Sequence, residues 1–242
     1  LGDGVRPVAL GRDILQPGDP LLFAGAGLAG YWHGDLGVTA TSVVDQWDDR
    51  SGNAVNFSAT LTTRPAYSRY GLNGHGVLTF DGSNDGMLAS GVDMFGNSAY
   101  TWLAVMKFTT TAAFKIAFGN AGTGGGGMYF AIHSGVGNRR ISHPGAFDST
   151  GGVATAGWEI VTIRRAAGAA PTLRINGAND ALSGAGTTMT VPTTPNVHVG
   201  YHTTGLFPQP MSIAFLSALT VAWTDAQAVA AENWARNTWA LP

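Results

Sequence analysis

Cysteine is absent from the chain, which removes disulfide frameworks, thiolate nucleophiles and cysteine-ligated zinc at once and leaves stability to packing. Charge is scarce: only 12% of the 242 residues carry it, and the formal net charge is -2. A nucleic-acid surface has to concentrate basic residues to displace counterions from phosphate, and a polybasic membrane patch needs the same excess. Neither is present, so a neutral or weakly charged partner is expected and nucleic acid is not. No apolar run approaches the ~20 residues that cross a bilayer, so membrane insertion is not expected either. Glutamate is nearly missing, with Glu159 and Glu232 the only two. The chain opens on Leu1 without a basic, apolar, small-residue signal segment, which reads as a trimmed or processed chain.

Glycine is abundant, with 35 residues, and 11 prolines join it. Both fall between short runs rich in Val, Ile, Thr, Phe, Tyr and Trp, the pattern of strands punctuated by turns. Strands are expected near Gly30 to His33, Val43 to Trp47, Gly76 to Phe80, Tyr100 to Phe108 and Phe114 to Gly119. Further strands are expected near Met128 to His133, Glu159 to Arg165, Thr172 to Ile175, Asn196 to Tyr201 and Ser212 to Trp223. This spacing, in a chain long enough for one large core, predicts an all-β domain: a two-sheet antiparallel jelly-roll sandwich. Between Thr101 and Phe108, Trp102, Ala104, Met106 and Phe108 share one face, while Leu103 and Val105 make the other face apolar too. That strand is expected at the centre of a sheet covered on both sides.

The two ends differ from this pattern. Residues 1–20 hold Pro7, Pro17 and Pro20 with little periodicity, an N-terminal arm or connector to the domain of residues 21–242. The arm reads either as a mobile terminus or as a docking segment whose Val8-Ala9-Leu10 and Ile14-Leu15 need a partner surface. At the other end Thr224 and Gln227 have capping-box spacing, and Ala228, Ala231, Trp234, Ala235 and Trp239 recur near helical spacing. A short C-terminal helix packed on the sandwich rim is predicted.

Several strings follow one another in a telling order. Trp47-Asp48-Asp49-Arg50-Ser51-Gly52-Asn53 leads to Arg64-Pro65, Leu72-Asn73-Gly74 and Val77-Leu78-Thr79-Phe80-Asp81-Gly82. Later come Trp158 to Arg165, then Thr172-Leu173-Arg174-Ile175-Asn176-Gly177, and after the capped helix Asn237-Thr238-Trp239-Ala240-Leu241. From Gly30 to Leu241 this order resembles the concanavalin A-like, laminin-G-like jelly rolls. The resemblance implies their sandwich and a place among proteins that mostly bind or cut polysaccharides. Where such proteins usually carry a glutamate after the apolar run of the last strand, this chain has Ser212-Ile213-Ala214-Phe215. Similar glycine-rich, cysteine-free jelly rolls with a short N-terminal arm occur as phage and phage-like head fibres, spikes or tail adhesins. That resemblance implies an extracellular or particle-surface place, an oligomer, contact with other structural subunits through the arm, and cell-surface polysaccharide as partner.

Catalysis by paired carboxylates places two acids about 5 Å apart for a retaining mechanism. Glu159 at a strand start and Glu232 on the helix cannot supply that pair, and the family's Glu-x-Asp-x-x-Glu strand is missing. Asp48 and Asp49 would point to opposite faces of a strand and are expected instead to organise the Ser51-Gly52-Asn53 turn. No Gly-x-Ser-x-Gly elbow occurs. His198 and His202 flank a strand, too far apart for easy shared ligation, so zinc is not expected. Asp81, Asn84 and Asp85 form an oxygen-rich turn that suits calcium or an ordinary Asx turn, and no other cofactor is expected. The run Gly122 to Gly127 lacks the Lys-Ser/Thr ending of a phosphate loop and reads as a flexible hairpin tip.

Recognition remains. Sugar sites set aromatic faces against C–H surfaces and use Asn, Asp, Arg or His to fix hydroxyls, usually on loops held by a rigid scaffold. Three loops combine these types: Tyr67 to His75, His133 to Phe147, and Tyr201 to Phe207. The candidate ligand residues are Tyr67, Tyr70, His75, Tyr129, His133, Arg139, Arg140, His143, Tyr201 and His202. The expected function is a non-catalytic carbohydrate-binding and adhesion domain. Its competitors are a structural decoration or connector subunit, and a lyase or hydrolase built on Tyr129 and His133.

Overall fold

The structure, a computed structural model, describes residues 17–23, 27–90, 99–109, 115–120, 128–132, 137–142, 146–184, 196–201 and 208–242. Most of the expected arm, the Gly122 to Gly127 run, and His133, His143 and His202 lie outside the described residues. The chain begins with α1 (Pro20–Phe23), β1 (Leu28–His33), β2 (Val38–Ala40), β3 (Val44–Trp47), β4 (Phe57–Ser58), β5 (Ala66–Leu72) and β6 (His75–Phe80). It continues through β7 (Met87–Ser90), β8 (Tyr100–Phe108), β9 (Lys115–Asn120), β10 (Tyr129–Ile132), β11 (Asn138–Ser142) and β12 (Ala146–Val153). It closes with β13 (Glu159–Arg165), β14 (Thr172–Ile175), β15 (Ala178–Asp180), β16 (Leu182–Gly184), β17 (Asn196–Val199), β18 (Met211–Leu219) and α2 (Asp225–Thr238).

These strands form two antiparallel sheets packed as a sandwich, with a short C-terminal helix, as the strand spacing predicts. One sheet runs β15-β14-β13-β8-β18-β6-β5, with β1 also paired to β18; the other runs β16-β12-β11-β10-β9-β17-β7-β4-β3-β2. Between them lies a core that includes Trp32, Trp47, Trp102, Phe108, Phe118 and Phe130. Its tryptophans are seated partly by backbone acceptors: Trp32 Nε1 donates to the Val55 carbonyl at 2.9 Å and Trp47 Nε1 to the His33 carbonyl at 3.0 Å. Strand alternation places Trp102, Ala104, Met106 and Phe108 in this core and Leu103 and Val105 in a second cluster on the other face of the sheet.

That second cluster explains where the helix goes. The outer faces of β8, β13 and β18 carry Leu103, Val105, Ile160 and Phe215, and Ala228, Ala231, Trp234, Ala235 and Trp239 cover them. So α2 lies across a sheet face, and the sequence expectation of rim packing is corrected: a doubly apolar central strand needs a lid on its outer side. Thr224 caps the helix, its Oγ1 accepting from Gln227 N at 3.3 Å while Gln227 Oε1 accepts from Thr224 N at 2.9 Å. Thr224→Ala is expected to cost about 1 kcal/mol, read as a lower urea midpoint with an unchanged slope.

Two Asn-Gly turns close hairpins as the sequence suggests. Asn73 and Gly74 have φ of 49° and 92°, and Asn176 and Gly177 have φ of 52° and 87°. Positive φ at both central residues matches the right-handed twist of the strands they join. Of the two adjacent acids, Asp49 organises the turn, accepting from Ser51 N (2.8 Å), Val55 N (3.1 Å) and Tyr31 N (2.9 Å). Asp48 takes no part in it and accepts from Gln46 Nε2.

The feature that positions the candidate site is a bulge in β18 between Ile213 and Phe215. Before it, Met211 to Ile213 pair with β6; after it, Phe215 to Leu219 pair with β1. Two strands therefore share one edge of β18 end to end, and they meet at Gly34 and Gly76. A Cβ on Gly34 would stand 2.0 Å from the Gly76 carbonyl oxygen, and one on Gly76 would stand 2.2 Å from that of Gly34. Only glycine allows this approach.

Candidate functional site

The junction brings together residues 40 positions apart in the chain. Asp35, just past Gly34, faces His75 at the start of β6, with His75 Nδ1 2.6 Å from Asp35 Oδ2. Gly76 N donates to Asp35 Oδ1. Asp35 N donates to His33 Nδ1 at 3.1 Å, which fixes the neutral His33 tautomer with its proton on Nε2. The Trp239 ring stacks on His33 at 5.1 Å between centroids and lies 5.9 Å from His75. Its carbonyl accepts from Asn73 Nδ2 at 2.6 Å, so the helix tail is tied to the hairpin turn.

Burial decides the electrostatics here. It pushes the His33 imidazole down to about 4, with the Asp35 charge opposing it only in part. For Asp35 burial acts upward, but hydrogen bonds from His75 and Gly76 outweigh it and hold the carboxyl below the ordinary range. Asp35 is thus an anion that pins the orientation of His75.

Tyr67 to His75 was expected as a loop; it is a hairpin, because the Asn73-Gly74 turn lets β5 pair back on β6. Register is broken within it. Ser68 pairs Val77 and Leu72 pairs His75, so Arg69, Tyr70 and Gly71 bulge outward on the edge strand of the sheet. Tyr70 is 72% exposed there, with the Arg69 guanidinium 5.7 Å from its ring centroid. Tyr67 donates its hydroxyl to the Gly34 carbonyl at 2.9 Å. Burial raises the Tyr67 phenol, as does the charge of Asp35, while Arg69 lowers it. Tyr67, Tyr70 and His75 therefore gather as the sequence grouped them, and the structure adds Asp35 and Arg69.

The remaining candidates divide. Tyr129, Arg140 and Tyr201 lie with the larger sheet, where Arg140 grips Asp148 through Nε (2.6 Å) and Nη2 (2.8 Å). Tyr129 pairs with Gly119, which pairs with His198, and Tyr201 sets its ring edge-on to His198 at 5.3 Å. Burial raises the Tyr201 phenol.

Arg139 is a correction. The span from His133 to Phe147 contains a strand, not only a loop, and Arg139 points to the opposite face from Arg140. It is buried, donating through Nε to Glu159 Oε2 at 3.1 Å and through Nη1 to Asp180 Oδ2 at 3.4 Å. No ligand can reach it without dismantling that pairing. Glu159 is held there, and Glu232 is buried against Arg174, 2.8 Å from its Nε.

The oxygen-rich turn has the geometry of an Asx turn. Asp81 Oδ1 accepts from Ser83 N (2.7 Å), Asn84 N (3.3 Å) and Asp85 N (3.4 Å), and Asp85 Oδ2 accepts from Asp81 N (2.9 Å). Asn84 Nδ2 turns to the Thr62 carbonyl. The backbone bond from Ser83, with those from Asn84 and Asp85, holds the Asp81 carboxyl below the usual range. Those oxygens serve the turn, and among the described residues no group of three or more His, Asp or Glu side chains is placed to hold a metal ion.

No protein-family model matches the chain, and no curated protein matches it in sequence. Solved structures do match in shape. Domain 4 of AbnA, a GH43 extracellular arabinanase from Geobacillus stearothermophilus, aligns with a TM-score of 0.63 at 16% identity, over 84% of this chain and 97% of that domain. Trypanosoma rangeli sialidase aligns with a TM-score of 0.62 at 16% identity over 88% of this chain, and the botulinum neurotoxin serotype D binding domain with 0.61 at 11% over 86%. The chain spans about a third of the sialidase and half of the toxin domain, 33% and 50%. At these identities the likeness is one of fold: a two-sheet β-sandwich, shared with parts of a sialidase, an arabinanase and a toxin binding domain.

Proposed function

We propose that this sandwich binds carbohydrate through the β5–β6 hairpin. The observation that carries the proposal is the bulge that lifts Tyr70 out of an edge strand, 72% exposed, with Arg69 against its ring, on the hairpin where Tyr67 lies within reach of the charges of Arg69 and Asp35 and Asp35 holds His75. An aromatic face for sugar C–H groups then stands next to a cation, an anion and an imidazole for hydroxyls, on a frame fixed by backbone contact. Support comes from the arabinanase domain, which the chain covers nearly end to end and whose structure holds arabinotriose. Binding is favoured over hydrolysis because both glutamates are buried in arginine pairs.

Calorimetry against a panel of neutral and acidic oligosaccharides, arabinotriose among them, tests this. Wild type is expected to bind at least one member, and Tyr70→Ala to weaken it roughly tenfold or more, as loss of an aromatic anchor does, without change in melting temperature. A wild type inert to the whole panel, or Tyr70→Ala binding as tightly, defeats the proposal.

Display on a particle surface is a narrower form of this reading, supported by the sequence resemblance to phage fibres and spikes. A connector subunit would bury Tyr70 against a neighbour. Hydroxyl-radical footprinting of Tyr70 in the native assembly separates the two: oxidation as in the isolated chain supports an adhesin, and protection supports a connector.

A further inference from the structure

We propose a second carbohydrate site at the opposite edge of the same sheet, a cleft between β14, β15 and the start of α2 that takes a neutral sugar unit. The cleft measures about 410 Å³, and its lining includes Arg164, Pro171, Thr172, Asn179, Leu182 and Asp225, with the buried Asp180 also reaching it. That volume falls in the range of small-molecule sites, about 300–1,000 Å³. The Tyr70 hairpin is on β5 and the cleft on β15, the two ends of the strand order.

Its donors are oriented by the fold but not used up by it. Asn179 is exposed, yet its Oδ1 is pinned by Arg174 Nη1 at 2.9 Å. Arg174 is in turn held by the buried Glu232, through Nε at 2.8 Å and Nη2 at 2.9 Å. A buried ion pair thus fixes which way a surface amide turns and leaves its Nδ2 donors facing away from Arg174. Arg164 is fixed similarly: Nη1 donates to the Trp223 carbonyl at 3.1 Å and Nη2 to Asp225 Oδ1 at 2.6 Å. Its Nε–H is buried and out of reach of a ligand, but each Nη nitrogen spends only one of its two hydrogens on these bonds, which leaves two terminal donors. Donors held in place before a ligand arrives lose little entropy on binding it.

Charge selects the ligand class. Arg164 and Asp225 form one neutral pair, and Asp180, at the back, already accepts from Ser149 Oγ at 2.7 Å and from Arg139. An anionic sugar would meet the carboxylates of Asp225 and Asp180, and a cation would meet Arg164. Hydroxyl groups both donate and accept, so a neutral polyol matches Arg164 and Asn179 on one side and the outer oxygen of Asp225 on the other. Leu182, half-buried, offers apolar surface to a C–H face, with the edge of the buried Pro171 beside the cleft.

An NMR titration of the backbone amides with maltotriose, xylotriose, cellotriose and tri-galacturonate tests the site. Saturable shifts at Thr172, Asn179 and Asp225 are expected with at least one neutral trisaccharide and not with the acidic one. Asn179→Ala is expected to weaken that binding roughly tenfold, the worth of one well-placed hydrogen bond, with the melting temperature lowered by only a few degrees for the lost bond to Arg174 Nη1, whereas Tyr70→Ala leaves the binding intact. No shift at these amides with any neutral sugar, preference for tri-galacturonate, or undiminished binding by Asn179→Ala overturns the proposal. Loss of cleft binding in Tyr70→Ala also overturns it, because the two sites would then be one.

Discussion

Arg139→Ala is expected to lower stability by about 3–5 kcal/mol, among the largest effects of any single substitution in the chain. Arg139 stands on β11 of one sheet, whereas its partners Glu159 and Asp180 stand on β13 and β15 of the other. The guanidinium is therefore an ionic staple through the sandwich. Removing it leaves two buried carboxylates, of which Glu159 keeps only the weak bonds from Thr155 N and Oγ1 at 3.3 and 3.2 Å. The cost arises from those uncompensated charges more than from a lost attraction. For a domain of this size the melting temperature should fall by roughly 10 °C. Replacing Arg139, Glu159 and Asp180 together by Met, Leu and Asn should recover much of the loss, since a paired burial of charge sits near break-even. A single variant that melts within about 2 °C of wild type would refute the staple.

Between pH 6.5 and pH 4 the wild-type chain is expected to hold a nearly level stability, and this levelness hides two large opposing effects. His33 titrates at an ordinary 6.5 when unfolded but is pushed down to about 4 by burial when folded. As pH falls through that window the unfolded chain takes up a proton that the native state refuses, so stability drops. Asp19 does the reverse. It is fully buried, its Oδ1 accepts from Leu21 N at 2.9 Å and its Oδ2 has no partner. Burial outweighs the Leu21 bond and the lowering influence of the nearby Tyr31 hydroxyl and pushes its carboxyl up from 3.8 to about 6. The native state protonates first, and stability rises as pH falls from about 6 to 3.8. A tenfold change in proton affinity corresponds to about 1.4 kcal/mol, so each effect amounts to about 3 kcal/mol.

Urea melts followed by tryptophan fluorescence at pH 7, 5 and 4 would resolve the two contributions. Asp19→Asn should be about 3 kcal/mol more stable than wild type at pH 7 and should lose that advantage on acidification. His33→Asn should gain stability by a similar amount as pH falls from 6 to 4. Parallel pH profiles for wild type and both variants would contradict the assignment.

Much of the fold was legible because its signals are local. The apolar alternation of Trp102 to Phe108, the Asn73-Gly74 and Asn176-Gly177 turns and the Thr224-Gln227 cap each depend on a few neighbouring residues. The site was legible only in part, for a physical reason. Tyr67, Tyr70 and His75 share one hairpin and could be grouped by sequence, but Asp35 and His33 reach His75 only through the irregular pairing of β18. No local pattern encodes which two strands will share an edge. Arg139 was misplaced because a polar strand such as Asn138 to Ser142 resembles a loop. One signal was available: with Ile141 inward, alternation places Arg139 inward as well, and a chain with so few acids had Glu159 to meet it.

The contact of Gly34 with Gly76 has a consequence for how the hairpin surface can vary over time. Because main chain touches main chain there, the spacing of the two segments that carry Asp35 and His75 is set by backbone, with the Tyr67 hydroxyl bond to Gly34 added to it. In a lineage of such proteins the two glycines would be frozen, with no compensating pair of larger residues open to them. Arg69, Tyr70 and their exposed neighbours would be free to drift, so new specificities could be explored on a frame that does not move.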